Sequence, residues 1–254
     1  AWVQSYTTGG FARATFETEV ARRVVPAMGL HVDATPTDLG AMPLCWMLAF
    51  RAATGGFAVP KGGMGAIASA LVADVVAHGG AVRCGARVVS LEVRRGAVAA
   101  VVLADGERLA PSKAVVADVH ARSLFLDLLD PGDLPSGFVR AIERFRPGWG
   151  TFKVDWALSG PVPWADPVSA RSSVVHAADS IADLERFTEQ VRGGLLPDHP
   201  YLVLGQQSLV DDTRAPAGCH TLYGYTHAPY DPDPYTYAGG WPAWRERLAD
   251  TMEQ

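Results

Sequence analysis

The sequence predicts a mixed α/β fold, of the α+β kind, in which helices accompany a mainly antiparallel sheet. Apolar residues recur every three to four positions over residues 11–54 and again over 64–78, the spacing of helices that bury one face. Short β-like runs separated by glycine-containing turns occupy residues 82–118. From Trp149 onward, four runs alternate side-chain types with a period of two, as half-buried strands do.

The helical region predicts three helices, each followed by glycine. The first two are "FARATFETEVARRVVPAMG" and "DLGAMPLCWMLAFRAATGG", and a stronger third runs from about Met64 to His78 and ends at Gly79. Seven apolar residues of the third helix form one continuous stripe, which is typical of a helix that packs against another element. They are Met64, Ile67, Ala68, Leu71, Val72, Val75 and Val76.

The next region predicts a hairpin, a strand and two further helices. "RVVSLEVRR" and "AVAAVVLADG" are joined at Gly96, and Asp105-Gly106 supplies a second turn. "KAVVAD", residues 113–118, predicts a short buried strand that ends on an acid. Helical stretches follow over residues 121–129 and 136–145.

The last region predicts four strands with one helix between them. The strand runs are "GTFKVDWALSG", "RSSVVHAAD", "PYLVLGQQSLV" and "CHTLYGYTHAP", with connections rich in Pro, Asp and Gly. The helix is "SIADLERFTEQVRGG", for which Ser180, three residues before Asp183, is the predicted cap. We expect a mainly antiparallel sheet with one face buried and the other open to a ligand.

Composition and residue spacing exclude several classes of function. The net charge of -5 and the absence of a Lys/Arg cluster argue against nucleic-acid binding. Cys45, Cys84 and Cys219 lie far apart and fit no disulfide or metal pattern, which favours a reducing compartment. The seven histidines lack metal-site spacing, and no serine has the G-x-S-x-G setting of a hydrolase.

Two further features bear on location and completeness. No run approaches the roughly 18 apolar residues of a membrane-spanning helix, and no signal peptide is visible. We expect a cytoplasmic protein, with association at a membrane surface as an alternative. The chain opens on Ala1-Trp2 and ends at Gln254 within a helix-like run, so we expect a segment of a longer protein.

The segment "AVPKGGMG", residues 58–65, places three glycines within four residues at the mouth of a helix. One interpretation is a tight turn into a packed helix. The other is a backbone that a flat or anionic ligand approaches closely. The residues of this segment alone favour the turn, since neither G-x-G-x-x-G nor a P-loop lysine is present.

The order of elements around this segment resembles a family of flavoenzymes. Pro-x-Gly-Gly-Met, a helix and Gly-Gly lead to a V-x-x-I-like segment at Val88–Leu91. A G-x-V-x-x-V-x-L-x-D-G hairpin over Gly96–Gly106 and an A-x-x-V-V-like strand over Ala114–Asp118 follow. This series is similar to the phytoene desaturase-like and retinol saturase-like NAD(P)/FAD-dependent oxidoreductases, which belong to the flavin amine oxidase superfamily.

The resemblance implies a division into three segments. Residues 1–57 would be a helical part of a substrate domain, 58–120 a partial, Rossmann-like FAD-binding portion with a β-meander, and 121–254 a substrate-binding domain. The family's N-terminal G-x-G-x-x-G unit and its C-terminal flavin-covering segment are both missing from this sequence. The resemblance therefore implies a central segment that need not retain FAD by itself.

The resemblance also implies cofactor-binding positions. Gly62, Gly63 and Met64 match the turn beside the flavin, and Val88 matches a backbone contact to the adenine. Ala117 and Asp118 match the end of a strand that points toward the dinucleotide. Val88 is equally well explained as a core valine, and Asp118 as the cap of the helix that starts near residue 121.

A second set of residues on the predicted sheet suits the roof of a substrate cavity. Its members are Phe152, Trp156, Tyr201, Gln206, Gln207, Tyr223, Tyr225 and His227. The predicted substrate contacts among them are Trp156, Gln206, Tyr223, Tyr225 and His227. Aromatic side chains could grip an apolar substrate, and polar groups in a sheet must find partners or face a pocket. For each aromatic residue, a place in the core is the alternative. No catalytic residue can be named from the sequence.

The resemblance implies an FAD-dependent oxidoreductase that transfers a hydride equivalent from a small apolar substrate, such as an isoprenoid, to the flavin. The alternative is a non-catalytic lipid-binding or protein-interaction module derived from the same fold. We expect neither nucleic acid nor metal as a partner. Contacts with a second copy of the chain or with a membrane surface are further expectations.

Overall fold

The computed structural model describes residues 6–230 and 240–253. The chain divides into two compact units, one comprising Ala1–Ser69 and Gly148–Gln254, the other Ala70–Pro147. These bounds differ from the three predicted segments 1–57, 58–120 and 121–254. The assignment of those segments to cofactor and substrate domains stays a prediction.

Helices and an antiparallel sheet make up the first unit. Its helices are α1 (Thr8–Thr15), α2 (Glu19–Gly29), α3 (Met42–Thr54), the start of α4 (Gly65–Ala77), α6 (Ile181–Arg192) and α7 (Gly240–Glu253). Its strands are β4 (Gly150–Leu158), β5 (Val174–Ala177), β6 (Leu202–Gly205) and β7 (His220–Ala228). The predicted strands and the helix between them are all present, and Ser180 caps α6 as predicted, accepting from the Asp183 N–H.

The four strands form one sheet in the order β4-β7-β6-β5, and every neighbouring pair is antiparallel. This confirms the predicted sheet. The register pairs Lys153 with Tyr225 and Asp155 with Tyr223, so these side chains share one face, which we call the cavity face. On the opposite face, Phe152 packs with the buried residues of α7.

The main core lies where α2 and α6 meet the sheet. Phe187 of α6 is 1% exposed and packs with Leu30, Val203 and further apolar residues. The buried hydroxyl of Tyr201 donates to the Ala27 carbonyl, 3.1 Å away, so its polar atom is satisfied within an apolar setting.

The first helical run differs from the prediction in one respect. The sequence predicted one helix over "FARATFETEVARRVVPAMG", whereas the structure has two, α1 and α2, with a break at residues 16–18. Thr18 causes the second start, because its hydroxyl accepts a hydrogen bond from the Ala21 N–H at 3.3 Å. The break lets Phe11 and Phe16 pack beside Met42 and Cys45, which joins α1, α2 and α3.

The second unit contains a three-stranded meander in the order β1-β2-β3. Its strands are β1 (Val88–Arg94), β2 (Ala97–Leu103) and β3 (Arg108–Leu109), and its helices are the rest of α4 and α5 (Ser136–Glu143). The predicted meander is confirmed. The helix predicted over residues 121–129 is a π-helical stretch over Ser123–Leu128.

Two predictions for this part of the chain are wrong. Residues 113–118 do not form a buried strand, and Val116 is 94% exposed. A strand requires hydrogen bonds to a neighbour, and among the described residues no strand pairs with this stretch. The apolar stripe of α4 is also not buried: no residue of the helix is, and Leu71 is 64% exposed.

Candidate functional site

A cavity of about 1110 Å3 lies within the first unit, and we call it the larger cavity. One wall is the segment that leads into α4, including Phe57, Pro60 and Met64. The opposite wall is the cavity face of the sheet with the segment that follows β6. Its volume is above the usual range for small-molecule sites, so a cofactor ring and a substrate have room together.

The glycine-rich segment forms a tight turn at the edge of the larger cavity. The Gly63 N–H donates to the Pro60 carbonyl at 3.2 Å, and Gly62 and Gly63 have φ values of +81° and +96°. Residues that carry a side chain rarely adopt these left-handed backbone conformations, which explains why glycine occupies both positions. A Cβ added at Gly62 would meet nothing within 4 Å, and one at Gly63 only the Arg214 guanidinium at 3.9 Å.

Asp211 holds this turn from a position 149 residues away in the chain. Its buried carboxylate accepts from the Gly62 N–H at 2.8 Å and from Arg214 Nε at 2.7 Å. Arg214 in turn donates from Nη2 to the Pro60 carbonyl at 2.9 Å. Hydrogen bonds from the Thr213 hydroxyl and then from Arg214 hold the pKa of Asp211 well below its usual range.

This arrangement confirms the tight turn in "AVPKGGMG" and argues against an anionic ligand there. The N–H groups of Gly62 and Gly63 are occupied by Asp211 and Pro60, so they are not free to cradle an anion. What the turn offers is a surface without side chains, which suits close approach of a flat, uncharged group. Neither Asp211 nor Arg214 was predicted as a site residue, and only the short spacing from Asp211 to Thr213 indicates a local turn.

Tyr223 is the sequence-predicted substrate residue that the structure places most directly at the larger cavity. Its ring lies against Gly205, its hydroxyl accepts from Gln207 Nε2 at 3.3 Å, and Lys153 Nζ lies 5.1 Å from the ring centroid. The lysine also pairs with Asp155. An aromatic face with polar groups at its edge therefore forms one wall. The substrate-binding role of Tyr223 stays a prediction.

Gln206 and Trp156 are both held by hydrogen bonds to partners elsewhere in the chain, and their predicted substrate-binding roles stay predictions. Gln206 is buried and fully engaged: its Oε1 accepts from Trp164 Nε1 at 2.9 Å, and its Nε2 donates to two backbone carbonyls of residues 169 and 172. Trp156 borders the larger cavity, but its indole N–H donates to Glu253 of α7 at 2.7 Å. The polar groups of both side chains therefore form hydrogen bonds within the protein, which is how buried polar groups are usually accommodated.

Tyr225 and His227 connect the sheet to the end of α2 and do not border the larger cavity. His227 is buried, and its Nε2–H donates to the Leu30 carbonyl at 2.6 Å. The hydroxyl of Tyr225 lies 2.9 Å from His31 Nδ1. Register puts these two residues farther along β7 toward α2 than Tyr223, and their predicted substrate-binding roles stay predictions.

A smaller cavity of about 370 Å3 lies beside α2 and β5 within the same unit. His176 borders it, and His176 Nε2 lies 3.2 Å from His31 Nε2. Tyr225, His31 and His176 therefore form a hydrogen-bonded chain that the sequence did not predict. Burial lowers the pKa of His176 to about 4 and also lowers the pKa of His31.

The lowered pKa of His176 predicts a pH-dependent stability. The unfolded state, with a pKa near 6.5, binds more protons than the folded state between pH 6.5 and about 4. The free energy of unfolding should therefore be fully retained above pH 6.5 and fall as the pH is lowered toward 4. Denaturant unfolding across this range should show a shallower pH dependence for His176→Gln. The exposed His78→Gln is the matched control, and an equal effect of both variants would contradict the assignment to His176.

The predicted cofactor positions outside the turn lie in the second unit. Val88 opens β1, where it pairs with Leu103, and β1 is an edge strand of the meander. One edge of its backbone is therefore not used by β2. Ala117 and Asp118 are exposed and lie outside the strands. The cofactor-binding roles of these residues and of Gly62, Gly63 and Met64 stay predictions.

Comparison with known proteins supports the resemblance found in the sequence. The chain is 29% identical over 207 residues to pyridine nucleotide-disulfide oxidoreductase domain-containing protein 2 of Rattus norvegicus, with 78% of this chain and 35% of that protein covered. It is also 29% identical over 202 residues to the lycopene-forming phytoene desaturase of Pseudescherichia vulneris, with 77% and 38% covered. The chain thus spans about a third of the length of the curated relatives it matches.

A solved structure supports the fold. An oxidoreductase from Methanosarcina mazei matches with a TM-score of 0.64 at 12% identity, covering 98% of this chain and 51% of that one. No model of a protein family matches the sequence. Over residues 6–230 and 240–253, no helix has the length and apolar character needed to cross a bilayer. The chain is thus similar in sequence to a pyridine nucleotide-disulfide oxidoreductase domain-containing protein and to a phytoene desaturase, and it shares its fold with a solved oxidoreductase.

Proposed function

We propose that this chain forms the substrate-holding part of an FAD-dependent oxidoreductase that acts on a small apolar molecule. The observation that carries the proposal is the larger cavity, which is bordered by Pro60 and Met64, on either side of the Gly62–Gly63 turn, and by the aromatic cavity face. The likeness to oxidoreductases of the phytoene desaturase group supports the class of reaction. An isoprenoid or another extended apolar molecule is the substrate class that we propose.

The residues at the turn fit a flavin ring better than a phosphate. Glycines without Cβ atoms allow a planar ring to approach the backbone, and Met64 beside them is 67% exposed and polarisable. We propose Val88, Ala117 and Asp118 as further FAD contacts, on the strength of the family resemblance. When bound, FAD would supply the acceptor for a hydride equivalent.

The chain's own contribution would be to hold and orient the substrate. Phe57 and the ring of Tyr223 offer apolar surface to the substrate, and Gln207 fixes the Tyr223 hydroxyl. The pair formed by Lys153 and Asp155 neutralises the charges on this wall, so the cavity face presents no unpaired charge from these two residues to an apolar substrate. No step requires either residue to exchange a proton.

The exposed stripe of α4 agrees with a role inside a larger assembly. Exposed apolar residues in such a series usually mark a surface that another segment or protein covers. Under this proposal, further parts of the flavoenzyme cover the helix. Cys45, Cys84 and Cys219 are all free thiols, which is compatible with the reducing, cytoplasmic location that we propose.

Flavin binding by the 254-residue chain tests the proposal. Lumiflavin, which has the ring system without phosphate, should lose fluorescence when titrated with the chain, because the proposed contact at the turn is to the ring. Ala157→Trp places a large side chain at an exposed position that borders the larger cavity, and it should weaken the quenching. Ser159→Trp adds the same side chain two residues further on, outside the cavity border, and should not.

A chain that takes up an apolar probe in the larger cavity but does not quench lumiflavin would contradict the proposed contact between the flavin ring and the turn. The alternative, a non-catalytic lipid-binding module, would then account for the cavity. Equal quenching by the Ala157→Trp and Ser159→Trp variants would also count against the proposal, because it would place the flavin elsewhere.

A further inference from the structure

The smaller cavity has an apolar lining with two polar side chains. Ten residues border it, and eight of them are aliphatic, aromatic or methionine, including Met28 and Val174. The two polar ones are Arg23 and His176. No carboxylate or amide side chain is among the ten, so the polar surface of the cavity lacks a side-chain acceptor other than the imidazole ring.

Arg23 differs from the other arginines of α1 and α2. Arg13 forms an ion pair with Glu185, and Arg22 forms one with Glu19. Among the described residues, Arg23 has no such partner, and it is only half-exposed beside the apolar lining. A guanidinium in this setting carries donors in a planar fork that suits a carboxylate.

The hydrogen-bonded chain behind His176 allows an arrangement of protons in which that ring has a free donor. In this arrangement the Tyr225 hydroxyl donates to His31 Nδ1, its one hydrogen-bond partner among the described residues. His31 then carries its proton on Nε2 and donates to His176 Nε2. The proton of a neutral His176 is then on Nδ1, which has no protein partner within the described ranges. With this tautomer, which the proposal below uses, His176 is a second donor beside the smaller cavity that it borders.

We propose that the smaller cavity binds the carboxylate end of an apolar molecule, with Arg23 and His176 as the two donors. An amine is disfavoured because it would meet a cation, and an alcohol would use the guanidinium less well than a carboxylate does. The apolar lining receives the carbon chain that follows. This site is separate from the turn at Gly62–Gly63 and does not depend on flavin.

The two cavities share part of their lining, so a ligand too long for the smaller cavity would extend into the larger one. Ala52, Phe57 and Val174 border both the smaller and the larger cavity. A molecule anchored by its acid at Arg23 would therefore extend its chain past Phe57 into the larger cavity. The acid end would be held on the α2 side, and the rest of the chain would lie against the cavity face.

Calorimetric titration with three probes of equal chain length tests the site. Dodecanoate and dodecyltrimethylammonium below their critical micelle concentrations, and dodecanol below its solubility limit, should bind the 254-residue chain without flavin. The expected order of affinity is dodecanoate, then dodecanol, then dodecyltrimethylammonium. Dodecanoate should bind roughly 10-fold more tightly than dodecanol, as expected for one charge-assisted hydrogen-bonded pair. Arg23→Gln should reduce dodecanoate binding to the level of dodecanol and leave dodecanol unchanged.

Matched variants distinguish the loss of the binding site from a loss of folding. Arg51→Gln removes the same charge at an exposed position of α3 outside the lining of the smaller cavity, and it should bind dodecanoate like the unmodified chain. Arg23→Lys retains a cation and should keep most of the preference for the acid. Equal binding of dodecanoate and dodecanol, no binding of either, or an unaltered preference in a folded Arg23→Gln variant would each overturn the proposal. Because flavin is absent, these outcomes are independent of the test of the proposed function.

Discussion

Asp211→Ala is expected to lower the melting temperature of the chain by roughly 6–12 °C, the consequence of removing one partner from a buried ion pair. Asp211 and Arg214 form that pair, in which the carboxylate is 4% and the guanidinium 21% exposed. Without the carboxylate, Arg214 keeps a desolvated charge, and the Gly62 N–H loses its acceptor.

The same variant should also loosen the turn at the larger cavity. Asp211 connects the segment after β6 to residues 60–63, so its removal leaves the Arg214 bond to the Pro60 carbonyl as the remaining described side-chain link between them. Hydrogen exchange at the Gly62 and Gly63 amides should accelerate. Differential scanning calorimetry and exchange together measure both effects.

Asp212→Ala is the control, because this neighbouring carboxylate is exposed. It should change the melting temperature by at most about 2 °C, as expected for a surface substitution. If Asp211→Ala is as mild as Asp212→Ala, the carboxylate does not hold the turn.

The elements that the sequence predicted best are those determined by residues close together in the chain. The four strands of the sheet alternate along their own length, and the cap at Ser180 depends on residues three positions apart. The two wrong predictions concern segments whose structure depends on a packing partner elsewhere in the chain. Residues 113–118 have the composition of a strand but no neighbouring strand among those described, and the α4 stripe has the period of a packed helix but stays exposed.

Side-chain roles in the candidate site could not be predicted because they depend on distant partners. The position of Gln206 in the sheet indicates that its amide needs partners, but not that Trp164 and two carbonyls provide them. The link from Asp211 to Gly62 crosses 149 residues, and the chain from Tyr225 to His31 crosses 194. No rule based on spacing in the sequence predicts contacts between residues so far apart in the chain.

Gly205→Ala is expected to destabilise the first unit by about 3 kcal/mol, the upper part of the range for overpacking a well-filled site. Gly205 pairs with Tyr223 across β6 and β7, and an added Cβ would overlap ring atoms Cε1 and Cζ of that tyrosine. The ring must therefore leave its position at the larger cavity or push the strands apart. Its contact with Gln207 Nε2 should be lost in either case.

A double-mutant cycle with Tyr223→Ala assigns the cost of that substitution to the ring. When the ring is absent, Gly205→Ala should cost little, so the two substitutions should be strongly non-additive in denaturant unfolding. Gly160→Ala is the matched control, because a Cβ there meets nothing within 4 Å and its φ lies outside the left-handed region. A full cost for Gly205→Ala in the Tyr223→Ala background would mean that the backbone, and not the tyrosine, requires glycine. The wall of the larger cavity would then owe its shape to the strand itself.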